Sequence, residues 1–212
     1  MTVKSARGRP RDPALREAII EAAKEEFFSK GLAGASLARI AERASTTRVT
    51  IYSYFPSRED LFYAAVNAPV VNSIRIDPEI LKGLPPREQL LRVAVAFMES
   101  IADPSAIAQI HALYEGSKKR SKISQSFYAT GPQELIDVVA EILSVLVLEK
   151  VLRVPDIQIG AEQFLALVRG NEQMRALLSL APGRTGRDRM EYIEASVDLF
   201  LRGYRIGDYS TS

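Results

Sequence analysis

"TTRVTIYSYFP", residues 46–56, decides how the rest of the chain is read. Val49, Thr50, Ile51, Tyr52, Tyr54 and Phe55 are β-branched or aromatic, the types that suit a pleated sheet. A strand here would need a partner to satisfy its backbone groups, and no neighbouring segment reads as one. Upstream, residues 13–30 carry Leu15, Ile19, Ala22 or Ala23 and Phe27 at helical spacing. Asp12 suits the N-cap of that helix, Pro13 its first position and Gly31 its stop. Ser36 caps "LARIAERA", with Leu37, Ile40, Ala41 and Ala44 as its apolar stripe. Downstream, Ser57 and Asp60 have capping-box spacing ahead of Leu61, Phe62, Ala65 and Val66. The quoted stretch is therefore expected to be a helix over residues 47–54, held by packing and not by propensity.

Short second and third helices joined by a tight turn, braced by a helix on either side, make the helix-turn-helix layout. Its second helix enters the major groove of DNA. At about 100° per residue, Ile51, Tyr52 and Phe55 fall on the side that packs inward. Val49, Thr50, Ser53 and Tyr54 fall on the other side, with Thr47 at its edge. That outer face is hydroxyl-rich and carries no acid, as suits a surface meeting phosphates and base edges.

"SLARIAERASTTRVTIYSYFPSREDLF", Ser36 to Phe62, resembles the DNA-binding signature of the TetR/AcrR family of bacterial transcription regulators, and "AIIEAAKEEFFSKG" resembles its first helix. The matching positions are Ile40, Ala41, Ala44, Thr50, Ile51, Tyr52, Tyr54, Phe55, Ser57 and Leu61. A weaker resemblance, through "FLALVRG", "LLSL" and "VDLFLRGY", is to the C-terminal domain of the AefR-like branch. The chain departs from the family at Ser45, where Gly is usual, at Thr46, where an aliphatic is, at Val49, where a small residue is, and at Arg39, where aspartate is frequent. The resemblance implies that Ser36, Thr47, Arg48, Thr50, Ser53 and Tyr54 reach DNA and that Val49 makes apolar contact. It also puts the Tyr52 hydroxyl on a phosphate with its ring packed inward, and Arg58 with the start of its helix on another phosphate.

Net charge is only +2, but its distribution is uneven. Before Asp12 the chain has Lys4, Arg7, Arg9 and Arg11 and no acid. From Asp12 to Asp60 seven basic side chains face eight acidic ones. "RGRPR", residues 7–11, resembles an AT-hook core, so Arg7 and Arg9 are expected at a minor groove or phosphates.

Composition excludes several classes. With no cysteine there are no disulfides, no thiolate catalysis and no cysteine-held zinc. His111 is the only histidine, so a histidine metal cluster is excluded and a Ser-His-Asp triad would rest on that one residue. No catalytic motif is present, and neither enzyme activity nor a cofactor is expected. The start of the chain has no apolar stretch of the secretory kind. The most apolar segment, residues 136–152, is interrupted by Glu141 and Glu149 and falls short of the roughly 20 apolar residues of a membrane span. A cytoplasmic protein with no membrane partner is expected.

The whole chain reads all-α, with about nine helices. A flexible basic arm (1–12) and a helix-turn-helix DNA-binding domain (13–68) precede an effector-binding and dimerisation domain (69–212). Pro69, Pro78, Gly83, Pro85 and Pro86 mark the junction, with Pro69 a candidate hinge. Residues 156–180 read as one helix and 187–206 as another, ended by Gly207. Their stripes, Phe164, Leu167, Val168, Met174 and Leu178 on one and Met190, Ile193, Val197, Phe200 and Tyr204 on the other, are candidates for a homodimer interface of the kind the family uses. The resemblance also implies a small-molecule effector pocket among the middle helices, for which Phe97, Met98, Ile101, His111, Tyr114, Phe127 and Tyr128 are candidate linings. The expected partner is a double-stranded DNA operator, read by a homodimeric repressor that an effector releases. The alternatives are an activator, a ligand-independent dimeric DNA binder, or an all-α small-molecule-binding protein whose helix-turn-helix is only structural.

Overall fold

The computed structural model describes residues 12–68, 76, 78–115 and 120–206. Among these the chain forms helices and no strand: α1 (Pro13–Gly34), α2 (Leu37–Arg43), α3 (Arg48–Tyr54), α4 (Arg58–Asn67), α5 (Pro78–Leu81), α6 (Pro86–Ile101), α7 (Pro104–Glu115), α8 (Arg120–Ala129), α9 (Pro132–Leu148), α10 (Ile157–Arg169), α11 (Glu172–Leu177) and α12 (Gly186–Gly203). Twelve segments replace the expected nine or so for local reasons. α5 and α11 are short pieces, and residues 156–180 are not one helix. Gly170 takes φ 51°, ψ −128° and breaks that run after Arg169. The last helix likewise ends at Gly203 and not at Gly207, where Tyr204 caps it and the Arg153 N–H donates to the Tyr204 carbonyl at 2.8 Å.

The chain divides into two compact units: residues 1–68 with 111–123, and residues 69–110 with 124–212. In the first unit the helices begin where the sequence offers caps. The Asp12 side chain accepts from the Ala14 N–H at 2.9 Å, Thr47 from Thr50 and Ser57 from Asp60. α1 kinks at Gly31, whose φ of 67° no helix interior adopts. α4 stops at Asn67, and Ala68 takes the extended conformation that a following proline enforces. Pro69 itself lies outside the described residues.

α1 packs on α2 and α4. Ala22, Ala23, Ala41 and Ala65 are buried and let the backbones approach, while Phe27 meets Phe62 edge to face at 5.2 Å. Each fully buried large side chain here is worth about 1.5–3 kcal/mol. In the second unit α6, α9, α10 and α12 enclose a core that includes Leu90, Met98, Leu143, Leu146, Phe164, Ile193 and Phe200.

Candidate nucleic-acid interface

The turn between α2 and α3 sets the geometry of the site. Ala44 ends α2, and Ser45 takes φ 49°, the left-handed conformation that normally selects glycine. The Thr46 N–H then returns to the Ala41 carbonyl at 2.8 Å and the Ser45 N–H to the Glu42 carbonyl at 3.1 Å. These are the paired bonds of a Schellman stop. The chain thus makes the family's turn with a serine where glycine is usual, at the cost of a strained backbone position.

α3 follows at once. Thr47 is its N-cap, with Oγ1 accepting from the Thr50 N–H at 3.1 Å and bonded to the Thr50 hydroxyl at 2.9 Å. Ile51 and Phe55 are buried and anchor the helix. Val49 is 80% exposed, an arrangement that hydrophobicity alone opposes. Arg48 and Ser53 are also exposed, and Arg48 has no ion pair among the described residues. No acidic side chain lies within α3. Each threonine hydroxyl has one donor and two acceptor positions, so the Thr47–Thr50 pair keeps hydrogen-bonding capacity for a base or phosphate.

Three expected positions stand differently from the reading of the sequence, and Ser36 keeps the cap read for it. Tyr52 was expected to pack its ring inward, but the residue is 48% exposed. The inward direction is set by Ile51 and Phe55, and Tyr52 lies about 100° from the former, beyond the buried sector. Tyr54 is half-buried, and its hydroxyl accepts the Asp12 N–H at 2.8 Å, tying α3 to the start of α1. Arg58 was expected on a phosphate. Its Nη2 instead donates to the carbonyls of Ala35 and, at 3.3 Å, Ala33, which the end of α1 leaves without helical partners. Ser36 caps α2, accepting from the Arg39 N–H at 3.5 Å, and its hydroxyl proton stays available. Arg7 and Arg9 lie outside the described residues.

The second unit sorts the remaining candidates. Phe164, Val168, Ile193, Val197 and Phe200, read as a possible interface, are buried in that unit's own core, and Phe164 packs edge-on against Phe200 at 5.2 Å. Leu167 and Tyr204 pack partly against the same core. Met174, Leu178 and Met190 remain exposed, and Leu180 and Leu199 join them. The stripes mixed two populations because helical periodicity marks an apolar face without naming what covers it. Among the pocket candidates, Met98 and Ile101 are buried, Phe97, His111 and Phe127 half-buried, and Tyr114 and Tyr128 exposed. His111 and Tyr114 fall in the first unit and the other five in the second.

Sequence reading also missed a fork between α6 and α12. Arg87 Nε donates to Asp198 Oδ1 at 2.7 Å and its Nη2 to Oδ2 at 3.2 Å. The hydrogen bond from Arg87 holds the Asp198 carboxyl below its ordinary range, with the charges of Arg87 and Arg202 adding and slight burial opposing. Nothing local signals a contact between residues so far apart in the chain.

Residues 19–65 match the family described as bacterial regulatory proteins, tetR family. Residues 88–206, more than half of the chain, match the C-terminal domain of the AefR-like transcriptional repressors. The HTH-type transcriptional repressor SCO4008 of Streptomyces coelicolor is 35% identical over 77 residues, which are 34% of this chain and 40% of that protein. The match thus spans less than half the length of this curated relative. A TetR-family transcriptional regulator from Mesorhizobium loti MAFF303099 superposes with a TM-score of 0.81 at 19% identity, covering 92% of this chain and all of that one. The flavonoid-responsive regulator FrrA superposes with a TM-score of 0.73 at 26% identity, again over 92% of this chain and all of that one. No described helix is long and apolar enough to cross a membrane. The chain belongs to the TetR family of DNA-binding transcription regulators, with a C-terminal domain of the AefR-like repressor type, and is not an enzyme.

Proposed function

We propose that this regulator works in the cytoplasm as a homodimeric repressor, bound to a palindromic DNA operator and released from it by a small apolar or amphipathic molecule. The observation that carries the DNA reading is the outer face of α3. Arg48, Val49 and Ser53 are presented to solvent while Ile51 and Phe55 fix the helix from behind. In this reading Thr47, Arg48, Val49, Thr50 and Ser53 meet DNA, and the exposed Tyr52 places its hydroxyl on a phosphate. Arg7 and Arg9 add contacts in an adjacent minor groove or on phosphates.

A helix-turn-helix pair reads half-sites about 34–36 Å apart, which calls for a dimer. In this reading the exposed apolar side chains Met174, Leu178, Leu180, Met190 and Leu199 of the second unit are the dimer contacts. The effector reading rests on the apolar side chains Phe97, Met98, Ile101 and Phe127 of the second unit. FrrA, the relative whose name records a response to flavonoids, supports an effector with a largely apolar body.

The test is selection of a duplex from random-sequence DNA, followed by sedimentation of the complex and a screen of small molecules for release. An inverted repeat bound by two chains, with release by an apolar compound, is the expected result. A site without two-fold symmetry, or one chain per site, overturns the dimeric reading. A complex that no compound releases overturns effector control.

A further inference from the structure

Glu26 lies on the apolar side of α1, following Ala22 and Ala23 at helical spacing, and is 2% exposed. Burying a carboxylate is costly unless its oxygens are hydrogen-bonded. Oε1 of Glu26 accepts the backbone N–H of Ser36 at 3.0 Å and forms an ion pair with Arg39, whose Nε lies 3.4 Å away. Neither partner lies on α1. Ser36 is the N-cap of α2 and Arg39 is its third helical residue.

That pairing has a chemical logic. In a capping box the N-cap hydroxyl accepts the N–H of the third residue, and that third residue's side chain accepts the N-cap's own N–H. Here the first half is made, from the Arg39 N–H to the Ser36 hydroxyl. The second half is impossible locally, because a guanidinium has donors and no acceptor. Glu26 supplies the missing acceptor from another helix, and Arg39 turns to the same oxygen. A contact normally made within one turn of helix has become a tie between α1 and α2. α2 leads directly through the Ser45 turn to α3, so the tie reaches the recognition face without touching DNA.

We infer that Glu26 is a positioning residue for DNA recognition, acting as the distant acceptor that fixes where α2 starts and so how α3 is held. The inference rests on α3 being the DNA-reading element. Losing a capping acceptor lowers the population of the binding-competent arrangement, and apparent affinity falls with that population.

The experiment uses the full chain and a duplex selected by the wild type. Glu26→Leu keeps the buried volume and removes the acceptor, and it is expected to bind about fivefold to tenfold more weakly. Its urea midpoint should fall, since the Ser36 N–H loses its acceptor and Arg39 its partner, so affinity is measured where circular dichroism shows the variant folded. Glu26→Gln retains an acceptor oxygen and should bind within about twofold of wild type. In an Arg39→Glu background residue 39 provides the acceptor itself, so adding Glu26→Leu should cost less than about twofold there. Glu26→Met serves where the leucine variant does not fold. Amide exchange of Ser36 reads the same bond without DNA: it should be protected in the wild type and in Glu26→Gln, and should exchange at least about tenfold faster in Glu26→Leu. A wild type that selects no duplex sinks the DNA reading, and the Ser36 amide then decides the cap by itself. Unchanged affinity and unchanged Ser36 exchange in a folded Glu26→Leu overturn the inference. So does a Glu26→Leu penalty that is as large beside Arg39→Glu as in the wild type.

Discussion

Arg58→Ala separates the two roles that this arginine could have. The guanidinium bridges the start of α4 to the carbonyls of Ala33 and Ala35 at the end of α1. A hydrogen bond from a charged donor contributes about 1.5–3 kcal/mol, and its loss leaves the Ala35 carbonyl short of a partner. Arg58 is partly solvated, so water can replace some of the lost bonding and the lower half of that range applies, about 1.5–2 kcal/mol. For a chain of this size that is a fall of about 3–8 °C in Tm. The chain has no tryptophan, so unfolding is followed by helical circular dichroism against urea and temperature. The second readout is the dependence of DNA affinity on salt. An arginine on a phosphate contributes about 0.9 to the slope of log K against log salt, whereas one spent on carbonyls contributes nothing. The structure predicts lost stability with an unchanged slope. A slope reduced by about 1 with stability intact would refute the reasoning and return Arg58 to the phosphate.

Ser45→Gly relieves the left-handed position in the turn and should stabilise the chain by about 0.5–1 kcal/mol, after the entropy of glycine is subtracted. A destabilised variant in urea unfolding would mean that the serine side chain makes a compensating bond. Phe164→Ala should cost about 3–5 kcal/mol in the same assay, because it empties a core position packed against Phe200; a loss below about 1 kcal/mol would place Phe164 in an interface instead. Asp198→Asn should lower stability slightly at neutral pH. The native carboxyl sits below its ordinary range, so the ion pair's contribution is full above the unfolded value of about 3.9 and fades as pH falls through the lower native value. Stability curves of variant and wild type that do not converge in acid would contradict that sign.

Much of the first unit is legible in the sequence because its signals are local. Asp12, Ser36 and Ser57 are caps that act within one turn, and the alternation of Ile51 and Phe55 with hydroxyls marks the face of α3, although Thr47 caps that helix instead of lying within it as expected. The β-formers of the quoted stretch mislead only when read alone, since tertiary packing outweighs propensity over seven residues. What failed to show was distant. Arg58 reaches carbonyls 23 and 25 residues away, and Arg87 reaches Asp198 across 111. Helical angle groups Tyr52 with Ile51 and Phe55, although the buried sector at α3 is narrower and holds only Ile51 and its neighbour Phe55. Glu26 did leave a sign, a carboxylate on the apolar stripe of α1, but its partner lies on another helix. In the second unit, apolar stripes on α10 and α12 could not tell core from interface, because burial depends on neighbours that periodicity does not name.

The central claim is that α3 reads base edges, and selection with Thr50→Ala tests it most directly. Duplexes are selected from the same random-sequence pool by wild type and variant, and affinities are measured for each base at each position. The account predicts altered preference at one position per half-site, worth about 1–3 kcal/mol, with the other positions unchanged. An identical preference at every position would contradict it.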